Sequence, residues 1–224
     1  NCNDYHSGAE IDIIIRTHKG AKHEVLNMLL PSYTLFAPKN LIRLIFVFHN
    51  TEEEVEYAYN EFAYTITKPC IAIAHGFPLR DELKKTLKET DEENLIWKIE
   101  GQWSNFYMDY YSNASFIGMM DTDVFFHMSF TRYDLIDNDN KPRIIGALDD
   151  KNNIRWYNET KRFVAGEIYA DFMTYFPVIL HKKTYKQVRD SINQAHDIEL
   201  EYLVKHTVKN FHILLNSAYE IAFD

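Results

Sequence analysis

The stretch FIGMMDTDVFF, residues 116–126, places two carboxylates at the end of an apolar run. Phe116 to Met120 predict a buried strand, and Asp121 and Asp123 follow it with one residue between them. Residues i and i+2 of a strand point to the same side, so both carboxylates are expected to project together where the strand leaves the sheet. Two interpretations are open here: a metal-binding pair, or a strand that ends in a turn with both acids solvated.

Other apolar runs in the chain also end in polar residues. The run EIDIIIRTHKG (residues 10–20) predicts a strand at Ile11–Ile15 that ends in Arg16 and Thr17, and LIRLIFVFHN (residues 41–50) predicts a strand that ends in His49 and Asn50. The run CIAIAH (residues 70–75) predicts a third strand. Ligands of open parallel sheets bind outside the carboxyl ends of the strands, so we expect these polar residues to share one cleft.

Helical patterns separate the strands. Residues 51–64 carry apolar positions at helical spacing, and Thr51 with Glu54 offers a capping box. Residues 102–113 and 184–193 also predict helices, residues 134–148 predict a hairpin or excursion, and the apolar run at residues 171–183 follows. Strands that alternate with helices indicate an α/β fold with a central, mostly parallel sheet flanked by helices. We expect a single domain over residues 1–224, with halves at about 10–123 and 124–224.

Composition limits the partners. The chain has 24 basic and 33 acidic residues, a formal net charge of −9, which disfavours nucleic acid because nucleic acids are bound through clustered Lys and Arg. No apolar run approaches the ~20 residues of a membrane-spanning helix. We therefore expect a soluble domain, with the cytoplasm as the favoured compartment and the Golgi lumen as the alternative if the chain belongs to a longer anchored protein. Its first residue, Asn1, suggests an excised or processed piece.

The chemistry of the acidic pair indicates a cation. Two close carboxylates repel each other, and they stay ionised together at low cost only when a positive ion lies between them. Hard ions such as Mg²⁺ and Mn²⁺ take oxygen ligands and share them with substrate phosphates. A zinc site is disfavoured because the histidines lack helical zinc spacing and the two cysteines lie far apart in the sequence.

The segment GQWSNFYMDYYSNASFIGMMDTDVFF (residues 101–126), together with the polar turn after the first strand, resembles the nucleotide-sugar-binding half of a GT-A glycosyltransferase. In that family an Asp-x-Asp motif follows an apolar strand, and its acids bind Mn²⁺ or Mg²⁺, which holds the diphosphate of the donor. Residues 171–190 and 196–204 are similar to the acceptor half of polysaccharide-building members. The resemblance implies transfer of a sugar from a nucleotide sugar, with a UDP-sugar favoured, to a hydroxyl of a glycan or glycoconjugate acceptor.

The resemblance also assigns roles to residues. Asp121 and Asp123 would bind the metal, with His212 as a further ligand and His181 as the second choice for that ligand. The expected donor-binding residues are Arg16, Thr17, Asn50, Trp103, Asn105 and Thr122. Asn50 stands where many members carry an acidic residue, so the identity of the base is open.

Catalysis leaves two mechanisms open. An inverting transfer needs a carboxylate that takes the proton of the acceptor hydroxyl, and the candidates are Glu199, Glu201 and Asp171. A retaining transfer needs no such base.

Two alternatives to a transferase remain. MMDTDVFF also fits the motif of haloacid-dehalogenase-type phosphatases, with Asp121 as the nucleophile, although that nucleophile normally ends the first strand of its domain. The second alternative is a nucleotide-sugar-binding domain without catalysis.

Overall fold

The computed structural model describes residues 9–38, 40–63, 70–73, 104–143 and 177–196. These residues fall into two compact units. Unit 1 comprises the described residues within Asn1–Gly76, Tyr107–Ile145 and Phe172–Lys186. Unit 2 comprises the described residues within Phe77–Phe106, Gly146–Asp171 and Gln187–Asp224. The five strands that the described residues form all belong to unit 1. The expectation of a single domain with two halves stays a prediction.

The strands form one sheet. They are β1 (Ile11–Arg16), β2 (Ile42–Phe48), β3 (Cys70–Ile73), β4 (Phe116–Met120) and β5 (Val178–His181), arranged in the order β3-β2-β1-β4-β5. β1 pairs in parallel with β2 and β4, and β2 pairs in parallel with β3, whereas β5 is antiparallel to β4. The predicted α/β fold with a central, mostly parallel sheet is confirmed.

Helices follow the strands. Helix α1 (residues 22–36) consists of Lys22–Glu24, a wider π-type piece Val25–Leu29, and Leu30–Phe36. The wider piece contains Asn27. Its carbonyl cannot accept the usual helical hydrogen bond from residue 31, because that residue is Pro31 and proline has no N–H. Helix α2 (residues 52–62) consists of Glu52–Glu56 and the π-type piece Tyr57–Phe62. Helix α3 is the single turn Arg132–Leu135, and α4 is Lys182–His196.

Alternation along the strands divides the core between two faces of the sheet. On the first, the Phe46 face, Ile13, Phe46 and Phe116 pack with α1 and α2 through Leu29 and Phe62. The second, the Met108 face, is a smaller cluster whose members are Ile14, Ile45, Val47, Met108, Ile117 and Tyr185. Because both faces are covered, the strands read as nearly continuous apolar runs in the sequence.

One carboxylate is fully buried within β1. Asp12 accepts a bidentate hydrogen bond from Arg43 on β2, with Nε–Oδ1 at 2.8 Å and Nη2–Oδ2 at 2.5 Å, and a third from Ser112 Oγ at 2.5 Å. Asp12 and Arg43 are direct partners in the β1–β2 register, which brings the two charges together. Lys182 at the start of α4 donates to the carbonyl of Ser112 at 2.6 Å. This network joins β1, β2 and the segment before β4.

Several predicted helices and turns differ from those observed. Thr51 caps α2 by accepting from the N–H of Glu54 at 3.3 Å, but the Glu54 carboxylate accepts the N–H of Lys19, at 2.9 and 3.0 Å, instead of completing the expected capping box. The helix expected at residues 102–113 is wrong in its described part. Residues 104–113 hold two helical residues and a separate 3₁₀ turn, Met108–Tyr110, because Asn, Phe, Tyr and Asp are mediocre helix formers.

The chain after β4 crosses to the opposite end of the sheet. After α3, Ile136 pairs with Pro142 in an isolated antiparallel bridge, so the expected excursion at residues 134–148 is hairpin-like where it is described. Arg132 binds Glu10 at 2.8–3.0 Å and also donates to Asn140.

The predicted helix at residues 184–193 is confirmed within α4. No helix among the described residues is long and apolar enough to cross a membrane.

Candidate functional site

The sheet has a topological switch point between β1 and β4. From β1 the chain adds β2 and then β3 on one side, and later places β4 on the other side of β1. Neighbouring parallel strands whose connections leave in opposite directions open a crevice at their carboxyl ends, where α/β proteins bind ligands. In this chain those ends carry Arg16 on β1 and Asp121 just after β4.

Arg16 and Asp121 lie beside each other at this crevice. Ile15 pairs with Met120, so the next residue of each chain segment, Arg16 and Asp121, stands at the same level. Arg16 follows Ile14 by two residues and therefore shares the Met108 face. Its charge acts on the Asp121 carboxyl, which sets a guanidinium next to the acidic pair.

The two carboxylates of the Asp-x-Asp motif influence each other. Both side chains are exposed, and β4 ends at Met120, so Asp123 belongs to the following turn. The alternation of a strand therefore does not govern Asp123, which corrects the reasoning from strand periodicity. Desolvation by surrounding protein raises the pKa of the Asp121 carboxyl, the negative charge of Asp123 raises it further, and Arg16 works in the opposite direction. The carboxylates are thus close neighbours, as expected from the sequence.

A pH effect on stability follows from the raised pKa of Asp121. A carboxyl whose pKa is raised on folding contributes its stability below its ordinary value, 3.8, and loses it as the pH rises through the folded value. Asp121→Asn is therefore expected to raise the midpoint of thermal unfolding at neutral pH in EDTA, with the gain vanishing as the pH falls below 3.8.

Asp134→Asn is the matched control. Hydrogen bonds from the backbone and the side chain of Thr131 lower the pKa of Asp134, so the sign of the effect is opposite. This variant is expected to lower the midpoint at neutral pH. A lower midpoint for Asp121→Asn at neutral pH would contradict the placement of its carboxyl beside Asp123.

Two residues of this edge were not nominated as site residues from the sequence. Tyr111 is half-buried, burial raises the pKa of its hydroxyl, and Arg16 lowers it, so the phenol lies near the guanidinium. His49 follows directly after β2, at the carboxyl end of a strand that pairs with β1. The signal for His49 was its place at the polar end of the second apolar run. Tyr111 had no such signal, because its segment is not a regular helix.

The other nominated residues of unit 1 lie at the same edge. Thr17 is buried, with its N–H donating to the carbonyl of Val47 at 3.0 Å. Thr122 is half-buried in the turn after β4, and Asn50 is exposed after β2. Asn105 belongs to unit 2. Trp103, Asp171, Glu199, Glu201 and His212 lie outside the described residues.

The loop after β1 is held in place by acids of α2. Lys19 donates through its backbone N–H to Glu54, and its Nζ lies 2.9 Å from Glu53 Oε1. His18 Nδ1 accepts the N–H of Gly20 at 3.0 Å. His18 and Lys19 therefore shape the loop, and Arg16 is the cation of this run whose charge reaches the acidic pair.

His181 as the second choice for a metal ligand is wrong. β5 runs antiparallel to β4, and His181 pairs with Phe116 at the amino end of β4, with the two rings 5.2 Å apart. Asp121 lies five positions after Phe116, which corresponds to about 16 Å along a strand. Within the described ranges, no group of three or more His, Cys, Asp or Glu side chains could hold a metal ion.

No protein-family model and no curated protein matches the chain. Among solved structures, the chain is similar to the crystal structure of mouse xyloside xylosyltransferase 1 in its apo form, with a TM-score of 0.46 and 11% sequence identity. The match covers 91% of this chain and 76% of that chain. A likeness of this size identifies no residue and no reaction.

Proposed function

We propose that the chain is a metal-dependent glycosyltransferase that moves a sugar from a nucleotide diphosphate sugar to a hydroxyl of a glycan acceptor. A UDP-sugar is the favoured donor. The observation that carries the proposal is the acidic pair Asp121 and Asp123 beside Arg16, at the crevice between β1 and β4. The resemblance of the Asp-x-Asp segment to GT-A enzymes supports the same reaction.

The acidic pair fits a divalent ion such as Mn²⁺ or Mg²⁺. The repulsion from Asp123 that raises the pKa of Asp121 is the repulsion that a bound cation removes. One or two carboxylates suffice for such an ion, because waters and substrate phosphates complete its coordination. When bound, it would supply Lewis-acid stabilisation of the leaving diphosphate. His212 stays a proposed further ligand.

The residues around the pair suggest how the chain would handle a diphosphate. Arg16 offers a fixed positive charge and several donors to phosphate oxygens. The charge of Arg16 also reaches the Tyr111 hydroxyl and lowers its pKa. Thr17, Asn50, Trp103, Asn105 and Thr122 stay proposed donor contacts. Glu199, Glu201 and Asp171 stay the candidates for a base in an inverting transfer, and a retaining transfer remains the alternative.

A turnover assay tests the proposal. The chain is incubated with a panel of UDP-sugars and Mn²⁺, with and without simple glycosides as acceptors, and release of UDP is followed. We expect release with at least one UDP-sugar and its loss in EDTA, because the donor diphosphate would be bound through the metal. Mn²⁺-dependent UDP binding without release from any donor would indicate the binding domain without catalysis. Hydrolysis of a generic phosphate monoester that Asp121→Asn abolishes would favour the phosphatase.

A further inference from the structure

Phe125 carries an exposed aromatic ring next to the acidic pair. Its side chain is 51% exposed, and it follows Asp123 by two residues, so the two Cα atoms lie within about 7 Å. Fully apolar rings of this size are usually buried. The neighbouring Phe126 is 8% exposed, so the segment has one phenyl ring in the core and one outside it.

The backbone that carries Phe125 is fixed. The N–H of Phe126 donates to Ser32 Oγ at 3.0 Å, and that buried hydroxyl donates in turn to the carbonyl of Leu29 at 2.7 Å. The ring of Phe126 stacks on Phe130 with centroids 5.6 Å apart and tilts against Tyr33 at 6.1 Å. Because the neighbouring residue is anchored in the core, the backbone at Phe125 has little freedom left to lose when a ligand binds.

A sugar ring matches what this segment offers. One face of a pyranose presents C–H groups that pack on an aromatic ring, and its hydroxyls donate to carboxylates at the rim. We propose that Phe125 is a stacking platform for the pyranose ring of a neutral sugar bound beside Asp121 and Asp123. The inference rests on the proposed function for the identity of the neighbouring ligand. The pyranose is either the sugar of the donor or that of the acceptor.

The test compares Phe125→Ala with Phe125→Tyr, which keeps the ring, and with Met128→Ala. Met128 is the matched control because it is 60% exposed and lies three residues further along the same segment. The acceptor probes are the methyl glycosides of glucose, galactose, xylose and mannose, titrated by saturation-transfer NMR. The donor probe is the difference in affinity between UDP-glucose and UDP, measured by calorimetry with Mn²⁺.

We expect Phe125→Ala to weaken binding of the sugar about tenfold, and Phe125→Tyr and Met128→Ala to stay within about twofold of the wild type. A loss confined to the glycosides identifies the acceptor, and a loss confined to UDP-glucose identifies the donor sugar. Unchanged sugar affinity in Phe125→Ala, an equal loss for UDP itself, or no sugar bound by the wild type would overturn the proposal.

A different measurement tests the proposed function. The proposed function is wrong if Asp123→Ala leaves the Mn²⁺-dependent affinity for UDP unchanged, and this measurement does not involve Phe125. In that case, glycoside binding that depends on Phe125 would still support the stacking platform, but not a nucleotide-sugar site beside it. Loss of sugar binding in Phe125→Ala, with UDP binding that stays intact in that variant and depends on Asp123, supports both the stacking platform and the proposed function.

Discussion

Replacing Arg43 by methionine is expected to lower the free energy of unfolding by about 3–5 kcal/mol. The substitution fills much of the same space but leaves the carboxylate of Asp12, which is fully buried, without its bidentate partner. Ser112 alone can donate one hydrogen bond to it. An unpaired buried charge is among the most costly defects a protein can carry, and urea unfolding at neutral pH measures its cost.

A second substitution separates charge from packing. In Arg43→Met with Asp12→Asn no buried charge remains, so the double variant is expected to recover a large part of the lost stability. Glu61→Ala serves as the surface control, because Lys22 and Glu61 are 3.6 Å apart with both side chains more than half exposed, and it should cost ~0–1 kcal/mol. If Arg43→Met alone lowered the free energy of unfolding by as little as Glu61→Ala does, the buried pair of Asp12 and Arg43 would be contradicted.

Replacing Asp123 by alanine is expected to weaken the Mn²⁺-dependent binding of UDP by about a hundredfold or more, since a direct ligand of the ion is worth several kcal/mol. The affinity of UDP in EDTA should change little, because Arg16 and the neighbouring groups remain. Calorimetric titrations of UDP into each variant, with Mn²⁺ and with EDTA, give both numbers.

Asp139→Ala provides the matched control for this experiment. Asp139 is exposed, and its substitution removes the same charge as Asp123→Ala. It lies in the turn after Asp137, to whose carboxylate its N–H donates. Arg132 donates to Asn140 in this turn and to Glu10 before β1, so the turn lies away from the crevice. Asp139→Ala should leave the affinity of UDP unchanged. Equal losses in Asp123→Ala and Asp139→Ala would mean that general charge, and not a metal held by Asp123, governs the binding.

The sheet could be predicted because its strands are apolar on both faces. β1, β2 and β4 begin and end within two residues of the apolar runs that predicted them, and polar residues mark their carboxyl ends. The proximity of Asp121 to Asp123 follows from their spacing alone. That Arg16 stands beside Asp121 depends on β4 pairing with β1, which no local pattern reports.

The direction of β5 could not be predicted for the same reason. An apolar run followed by a helix looks the same whether it joins a sheet in parallel or antiparallel, and only the antiparallel pairing with β4 shows that His181 lies at the end of β4 away from Asp121. The role of Asp12 was equally hidden, because its partner Arg43 is 31 residues away. Contacts across the sheet, and not periodicity along the chain, fix such side chains.

The most direct test of the central claim is anomalous diffraction from a crystal grown with Mn²⁺ and UDP. We predict a manganese peak at the carboxylates of Asp123 and Asp121, with the UDP diphosphate bound between that position and Arg16. A manganese peak elsewhere, or a diphosphate bound away from the crevice between β1 and β4, would contradict the account.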